Sequence, residues 1–146
     1  MKADQPARII LIEDNPGDVG LLRRALEDAE GGAYQIEVLT DGEKALRFVR
    51  EYHDEAGRPH PCVLVLDLHL PKYDGFEVLR AIRRESALSR VKVVVVTGIL
   101  SGADEAAIQV LGVRLYRKKP TDLESLLKLG EEIIAICREH MLEVAV

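Results

Sequence analysis

Several chemically capable residues stand directly after short apolar runs. Glu13 and Asp14 follow Ile9–Ile12, Asp67 follows Val63–Leu66 and Thr97 follows Val91–Val96. Lys118-Lys119-Pro120 comes just after Val113–Tyr116. If these runs are strands of one parallel sheet, three carboxylates, a hydroxyl and an ammonium meet at the carboxyl ends of the strands. Open α/β sheets bind their ligands there. Crowded carboxylates repel one another and need a cation. An all-oxygen donor set with few protein ligands suits Mg²⁺. With the metal bound, one carboxylate can attack phosphorus and form an acyl phosphate. A hydroxyl and an ammonium on the far side can hold the other phosphoryl oxygens. Taken singly, each feature has an ordinary explanation: a cap, a strand end, a solvated turn. Their joint placement on one rim carries the reading.

The elements that must position them are legible in the same way. A further run, Ile36–Leu39, brings the strands to five. The runs around Val63 and Val93 are continuous and aliphatic, as strands buried on both faces are. Between the runs the apolar residues take helical spacing. Val19, Leu22, Leu26 and Ala29 form one stripe, Ala45, Leu46, Val49 and Tyr52 a second, and Phe76, Leu79 and Ile82 a third. Ala103, Ala107, Val110 and Leu111 form the fourth, which leaves Ile108 off the core face. Leu123, Leu126, Leu127, Ile133, Ile134 and Cys137 form a long fifth. Asn15-Pro16 reads as a helix start. Ser101 with Asp104, and Thr121 with Glu124, read as capping boxes. Gly112 suits the left-handed residue that closes a helix. The alternation βαβαβαβαβα implies an α/β fold, a doubly wound parallel sheet with five helices on its two faces. The segment from His53 to Pro61, with Gly57 and Pro59, reads as a lengthened loop.

Length and composition set bounds on function. The chain has 146 residues, 47% hydrophobic and 31% charged, with a net charge of −5. This suits a single domain and gives no basic stripe for nucleic acid. The first apolar run is too short for a signal peptide or a membrane span, so a cytoplasmic protein is expected. In that reducing compartment Cys62 and Cys137 are expected to be small buried hydrophobes, not a disulfide or a metal pair.

The motifs Ile-Leu-Ile-Glu13-Asp14-Asn15, Leu66-Asp67-Leu68-His69-Leu70-Pro71 with Asp74-Gly75, Val96-Thr97-Gly98, and Tyr116-Arg117-Lys118-Lys119-Pro120 together resemble the receiver domains of two-component response regulators. The likeness runs from about Arg8 to Cys137, so the chain is expected to be one receiver domain over 1–146 with its last helix extended beyond that core. It implies a chemotaxis-receiver-like sheet of strand order 2-1-3-4-5. It also implies roles: Asp67 as phosphoacceptor, and Glu13, Asp14, Asp67 and the backbone carbonyl of His69 as the Mg²⁺ site. Thr97 and Lys119 correspond to the phosphate-binding pair, with Lys118 an exposed neighbour. Thr97 and Tyr116 correspond to the switch. The separations Asp67 to Thr97, 30 residues, and Thr97 to Lys119, 22 residues, keep the family's register. Such a protein accepts a phosphoryl group from a sensor histidine kinase; it assists its own phosphorylation and dephosphorylation but is not a conventional enzyme.

A finer resemblance lies in Glu-Asp-Asn-Pro-Gly-Asp, the long loop before the third strand, and Leu-Pro-Lys-Tyr-Asp-Gly. These are similar to the stand-alone regulators of bacterial phytochrome kinases, a group that tends to form homodimers. His69 departs from the asparagine common there. Its side chain could help or hinder a hydrolytic water, or be an exposed loop histidine with no role.

With the chain closing at Val146, output is expected to be a change of partner surface on helix four, strand five and helix five, biased by phosphorylation. The apolar end Met141-Leu142-Glu143-Val144-Ala145-Val146 is expected to extend helix five and cover a partner subunit, with Ile108 a further contact candidate. A phosphorelay shuttle remains open, because sequence does not separate it from an end-point switch. A Mg²⁺-dependent phosphatase of the haloacid-dehalogenase type needs a second acid two residues after its nucleophile, where this chain has His69. A flavodoxin-type cofactor binder needs a phosphate loop where this chain has Glu13-Asp14. A pseudo-receiver would lack some of the five groups.

Overall fold

In the computed structural model, which describes residues 7–30, 34–54 and 60–144, the chain alternates strand and helix throughout. The elements are β1 (Ala7–Ile12), α1 (Pro16–Glu30), β2 (Tyr34–Leu39), α2 (Gly42–Glu51), β3 (Pro61–Leu66), α3 (Gly75–Arg84), β4 (Lys92–Thr97), α4 (Gly102–Val110), β5 (Leu115–Lys118) and α5 (Leu123–Val144). The five strands are all parallel and lie in the order β2-β1-β3-β4-β5. This is the doubly wound arrangement expected.

Alternation along the strands feeds two cores. Ile9, Leu11, Val65, Val94 and Val96 pack on one face with Leu22 and Leu26 of α1 and Leu126, Leu129, Ile133 and Cys137 of α5. Ile10, Ile12, Leu64, Leu66, Val93 and Val95 pack on the other with α2, α3 and Ile108. Each fully buried aliphatic side chain contributes roughly 1.5–3 kcal/mol, which explains the unbroken valine and isoleucine runs. Arg8 is tolerated inside because its guanidinium meets the Glu37 carboxylate at 2.6 and 3.2 Å and lies over the Phe48 ring.

The helix ends are set by short polar side chains. Asp41 and Asp74 cap α2 and α3 by accepting the N–H of Lys44 and Glu77. Asn15 accepts the N–H of Asp18 in the first turn of α1. Ser101 and Asp104 form the reciprocal box at α4. Gly112 takes φ +68° after α4. At α5 the cap sits one residue later than expected: Asp122, not Thr121, accepts the Ser125 N–H at 2.8 Å.

Three further expectations are corrected. Cys62 and Cys137 are buried, but they form a disulfide, with Cα atoms 5.0 Å apart. Packing of α5 against β3 brings together two residues 75 apart in sequence, which no local pattern reveals. On α4, Ile108 is fully buried and Val110 is 86% exposed, so the helix is rotated relative to the expected stripe and Ile108 is not a surface contact. On α5, Leu123 is exposed while Leu129 is buried. That helix does run on through Met141 and Leu142 as expected; Ala145, Val146 and residues 55–59 of the loop before β3 lie outside the described residues.

Candidate functional site

The backbone ladder carries its register past the strand ends. Glu13 N–H donates to the Leu39 carbonyl, Asp67 N–H to Ile12 and Lys119 N–H to Thr97, at 2.9–3.1 Å. Glu13 and Asp67 are therefore level just past β1 and β3, Thr97 is the last residue of β4, and Lys119 follows Thr97's partner Lys118, so all four stand along one edge.

Their side chains close on Asp67. The Thr97 hydroxyl, fully buried, donates to Asp67 Oδ1 at 3.0 Å, and the His69 backbone N–H donates to the same oxygen at 3.0 Å. Lys119 Nζ lies 2.9 Å from Asp67 Oδ2, 3.1 Å from Glu13 Oε2 and 2.7 Å from Asp18 Oδ2. Glu13 also accepts the Asn15 N–H at 3.0 Å. Burial pushes the Glu13 carboxyl up to about 7; the Asn15 hydrogen bond opposes this, the Asp67 charge adds to it and Lys119 opposes it. Partial burial draws the Lys119 pKa down, but hydrogen bonds to Asp18, Asp67 and Glu13 outweigh it and leave it raised. The ammonium is therefore firmly cationic.

Three carboxylates thus crowd one ammonium. A carboxylate oxygen from each of Glu13, Asp14 and Asp67 lies within 4.8 Å of the other two, with Asp14 exposed. Hard anionic oxygens at this spacing, open to water on one side, fit a cation such as Mg²⁺ that keeps several waters. A cation there would also relieve the pressure on Glu13 to hold a proton.

The structure gathers Glu13, Asp14, Asp67, Thr97 and Lys119 as the sequence reading expected, and leaves Lys118 exposed. His69 contributes its backbone N–H, and its ring reaches across the rim, with Nε2 3.2 Å from the Ile99 carbonyl. Tyr116 is half-buried against the core under α4, and no hydrogen bond joins its hydroxyl to the cluster among the described residues. Asp18 was missed. An acid in the first turn of a helix ordinarily answers the helix dipole, so its position gave no sign of the contact with Lys119. The loop after His69 is shaped by Lys72, which takes φ 72° and pairs with Glu43 at 2.9 Å.

The chain has close relatives. It is 40% identical over 133 residues to the probable methanogenesis regulatory protein FilR2 of Methanothrix harundinacea, covering 91% of this chain and 84% of that one. The crystal structure of the phosphorylated cyanobacterial phytochrome response regulator RcpA aligns with a TM-score of 0.76 at 31% identity, covering 88% of this chain and 91% of that one. The Mn²⁺-bound form of Rcp1, a response regulator of Synechocystis, aligns with a TM-score of 0.75 at 34% identity over the same shares of the two chains. Residues 9–131 match the response regulator receiver domain. With the strand order and the rim of acidic groups already in place, the conclusion is direct: the chain belongs to the response regulator receiver domain family.

Proposed function

We propose that this protein is a phosphorylation switch, acting as one receiver unit in the cytoplasm, that takes a phosphoryl group from a sensor histidine kinase onto Asp67. The observation that carries the reading is the clamp on Asp67, with the Thr97 hydroxyl on one carboxylate oxygen and the Lys119 ammonium on the other. In transfer, a carboxylate oxygen attacks phosphorus. The new O–P bond forms as the N–P bond to the donor histidine breaks, and the imidazole leaves with the electron pair and takes up a proton. Thr97 and Lys119 are then in place to hold phosphoryl oxygens. Glu13, Asp14, Asp67 and the His69 carbonyl would hold Mg²⁺, which when bound would supply positive charge against the crowded oxygens. The Mn²⁺-bound state of Rcp1 and the phosphorylated state of RcpA support this in kind.

The same relatives support a bacterial phytochrome as the upstream kinase, whereas FilR2 ties a relative of similar length to the control of methanogenesis. Output is a shift of the surface formed by α4, β5 and α5, coupled through Thr97 and Tyr116. That surface carries the exposed Val110 and the Arg117–Glu132 and Arg114–Glu139 ion pairs, and the end of α5 adds Leu142, 71% exposed. It is the surface proposed for a homodimer. Truncation after Glu139 is expected to lower the mass seen by light scattering towards that of a monomer; an unchanged mass would remove the tail from the contact.

The test of the switch is intact mass after incubation with acetyl phosphate and Mg²⁺, run beside Asp67→Asn. A gain of about 80 Da, the mass of one phosphoryl group, is expected only in the parent and only with Mg²⁺. No gain, together with no response to beryllofluoride, would overturn the proposal. Back-transfer to a phosphotransfer histidine would make the protein a relay shuttle instead of an end point.

A further inference from the structure

At the opposite end of the sheet from Asp67, the ends of α3 and α4 and the starts of β4 and β5 enclose an open cleft of about 760 Å³. Its chemistry is at odds with the acidic chain around it. Arg83, Arg90, Lys92 and Arg114 all line it, against one carboxylate, Glu143. Two of these cations are matched from α5: Lys92 meets Glu143 at 3.1 Å and Glu139 at 3.7 Å, and Arg114 meets Glu139 at 3.0 Å. The other two are not. Arg90 is exposed and has no hydrogen-bond or ion-pair partner among the described residues.

Arg83 is the more telling of the two. Its guanidinium donates to four backbone carbonyls, those of Leu111, Ser89, Val91 and Gly112, at 2.9–3.0 Å, and has no carboxylate partner among the described residues. Guanidinium does not lose its proton in proteins. The fold has therefore drawn a full positive charge partly out of water and answered it with dipoles alone, and burial accordingly lowers its pKa. A desolvated cation without a counter-ion, facing an open cleft, attracts an anion more strongly than a solvated surface arginine does.

The remaining wall is aliphatic. Val110, 86% exposed, and Val113 stand beside the cations. Among the described residues no aromatic ring lines the cleft, so nothing there would stack a base. A simple phosphate would leave the valines uncovered. An anionic ligand with an aliphatic side chain uses both walls, and an open cleft at the junction of four elements has room for a length of chain.

We propose that this cleft docks an acidic segment of a partner protein, its carboxylates on Arg83 and Arg90 and an aliphatic side chain on Val110. The site is separate from the Asp67 rim, and docking does not depend on phosphorylation. It does reach the surface that the switch reading assigns to output, because two acceptors of Arg83, the Leu111 and Gly112 carbonyls, close the end of α4.

The experiment uses the unphosphorylated full chain, so that failure of docking and failure of the switch reading are separate results. A fluorescein-labelled peptide, Asp-Glu-Leu-Glu-Asp, is titrated by anisotropy, and its unlabelled form is mapped by amide shifts. The expected result is saturable binding, with shifts centred on 89–92 and 110–114. Arg90→Glu and Val110→Glu, both at exposed positions, should each weaken binding by about tenfold, the effect of replacing a favourable contact with a repulsive one. The amide analogue Asn-Gln-Leu-Gln-Asn should not bind. Absence of binding at millimolar peptide, shifts centred elsewhere, indifference to Arg90→Glu, or succinate binding as tightly as the peptide would each overturn the proposal.

Discussion

Alanine at position 75 would set a methyl carbon 2.5 Å from Leu68 Cα and 2.6 Å from the Asp67 carbonyl oxygen. Both neighbours are main chain, so no change of rotamer relieves the clash. Gly75 opens α3, and its own N–H donates to the Leu68 carbonyl at 2.8 Å. The helix start is thus fastened to the peptide that leaves Asp67, and a Gly75→Ala variant must push the two apart. Overpacking of this kind costs roughly 1–3 kcal/mol. At about 2–4 °C per kcal/mol for a chain near this size, the melting temperature should fall by roughly 2–12 °C. The clash also moves Asp67 against Thr97 and Lys119, which hold it at 3.0 and 2.9 Å. A shift of about 1 Å in a reacting group can cost on the order of a hundredfold in rate, so labelling by acetyl phosphate should slow by at least about tenfold. Gly20 is the control. A Cβ there meets nothing within 4 Å, and alanine is favoured over glycine inside a helix by about 0.5–1 kcal/mol. The same chemical change should therefore destabilise at 75 and stabilise at 20. Thermal denaturation of both variants and intact-mass labelling of the first are sufficient. A Gly75→Ala protein as stable and as readily labelled as the parent would refute the reasoning.

Thr97→Ala removes a buried donor to Asp67 Oδ1 and should cost about 1 kcal/mol, read as a lower urea midpoint, with partner or dimer response to beryllofluoride lost; an intact response would remove Thr97 from the switch. Arg83→Met strips four carbonyls of their donor and should cost about 3 kcal/mol, and an unchanged urea midpoint would show those bonds to be idle. His140 is buried and its Nε2 has no hydrogen-bond partner among the described residues. Burial, then the charges of His60 and Lys92, hold its pKa below the ordinary 6.5, with Glu143 opposing. The unfolded chain therefore binds this proton more readily. The stabilisation is complete above about pH 6.5 and is lost as the pH falls through that value towards the lower folded one. Urea midpoints at pH 8 and pH 5 should differ less in His140→Phe than in the parent; an equal difference would show that His140 is not the titrating group.

Some of the fold was plain in the sequence because one physical pattern served for each element. Continuous aliphatic runs marked strands buried on both faces, and the stripe over Ala45, Leu46 and Val49 marked the buried side of α2. The fourth helix failed that test for a physical reason. It is short and rich in alanine, and apolar residues occur all round it, so hydrophobic spacing did not single out its inner face. Only Ile108 is fully buried there, and the expected stripe placed Val110 inside instead. The cysteines failed differently. Their burial followed from residue type, but their pairing depends on how α5 lies over β3. An argument from redox compartment took the place of geometry that the sequence does not display.

The candidate site was legible for a topological reason. In a parallel sheet every strand points the same way, so whatever follows each strand comes to one edge. The ladder bonds that continue past Ile12, Leu39 and Thr97 keep those positions within a residue or two of one another along the edge. Reading the positions after four of the apolar runs was therefore enough to find Glu13, Asp67, Thr97 and the Lys118-Lys119 pair, and the family resemblance chose Lys119. Contacts made by side chains arriving from helices obey no such rule. Asp18 reaches Lys119 at 2.7 Å across 101 residues of sequence, and the histidine ring at 69 reaches the carbonyl of Ile99. Arg83 bonds Leu111 and Gly112 from another helix. Each depends on the length and direction of one flexible side chain. The backbone thus announces where chemistry gathers, while the residues that tune it become visible only when the helices are in place.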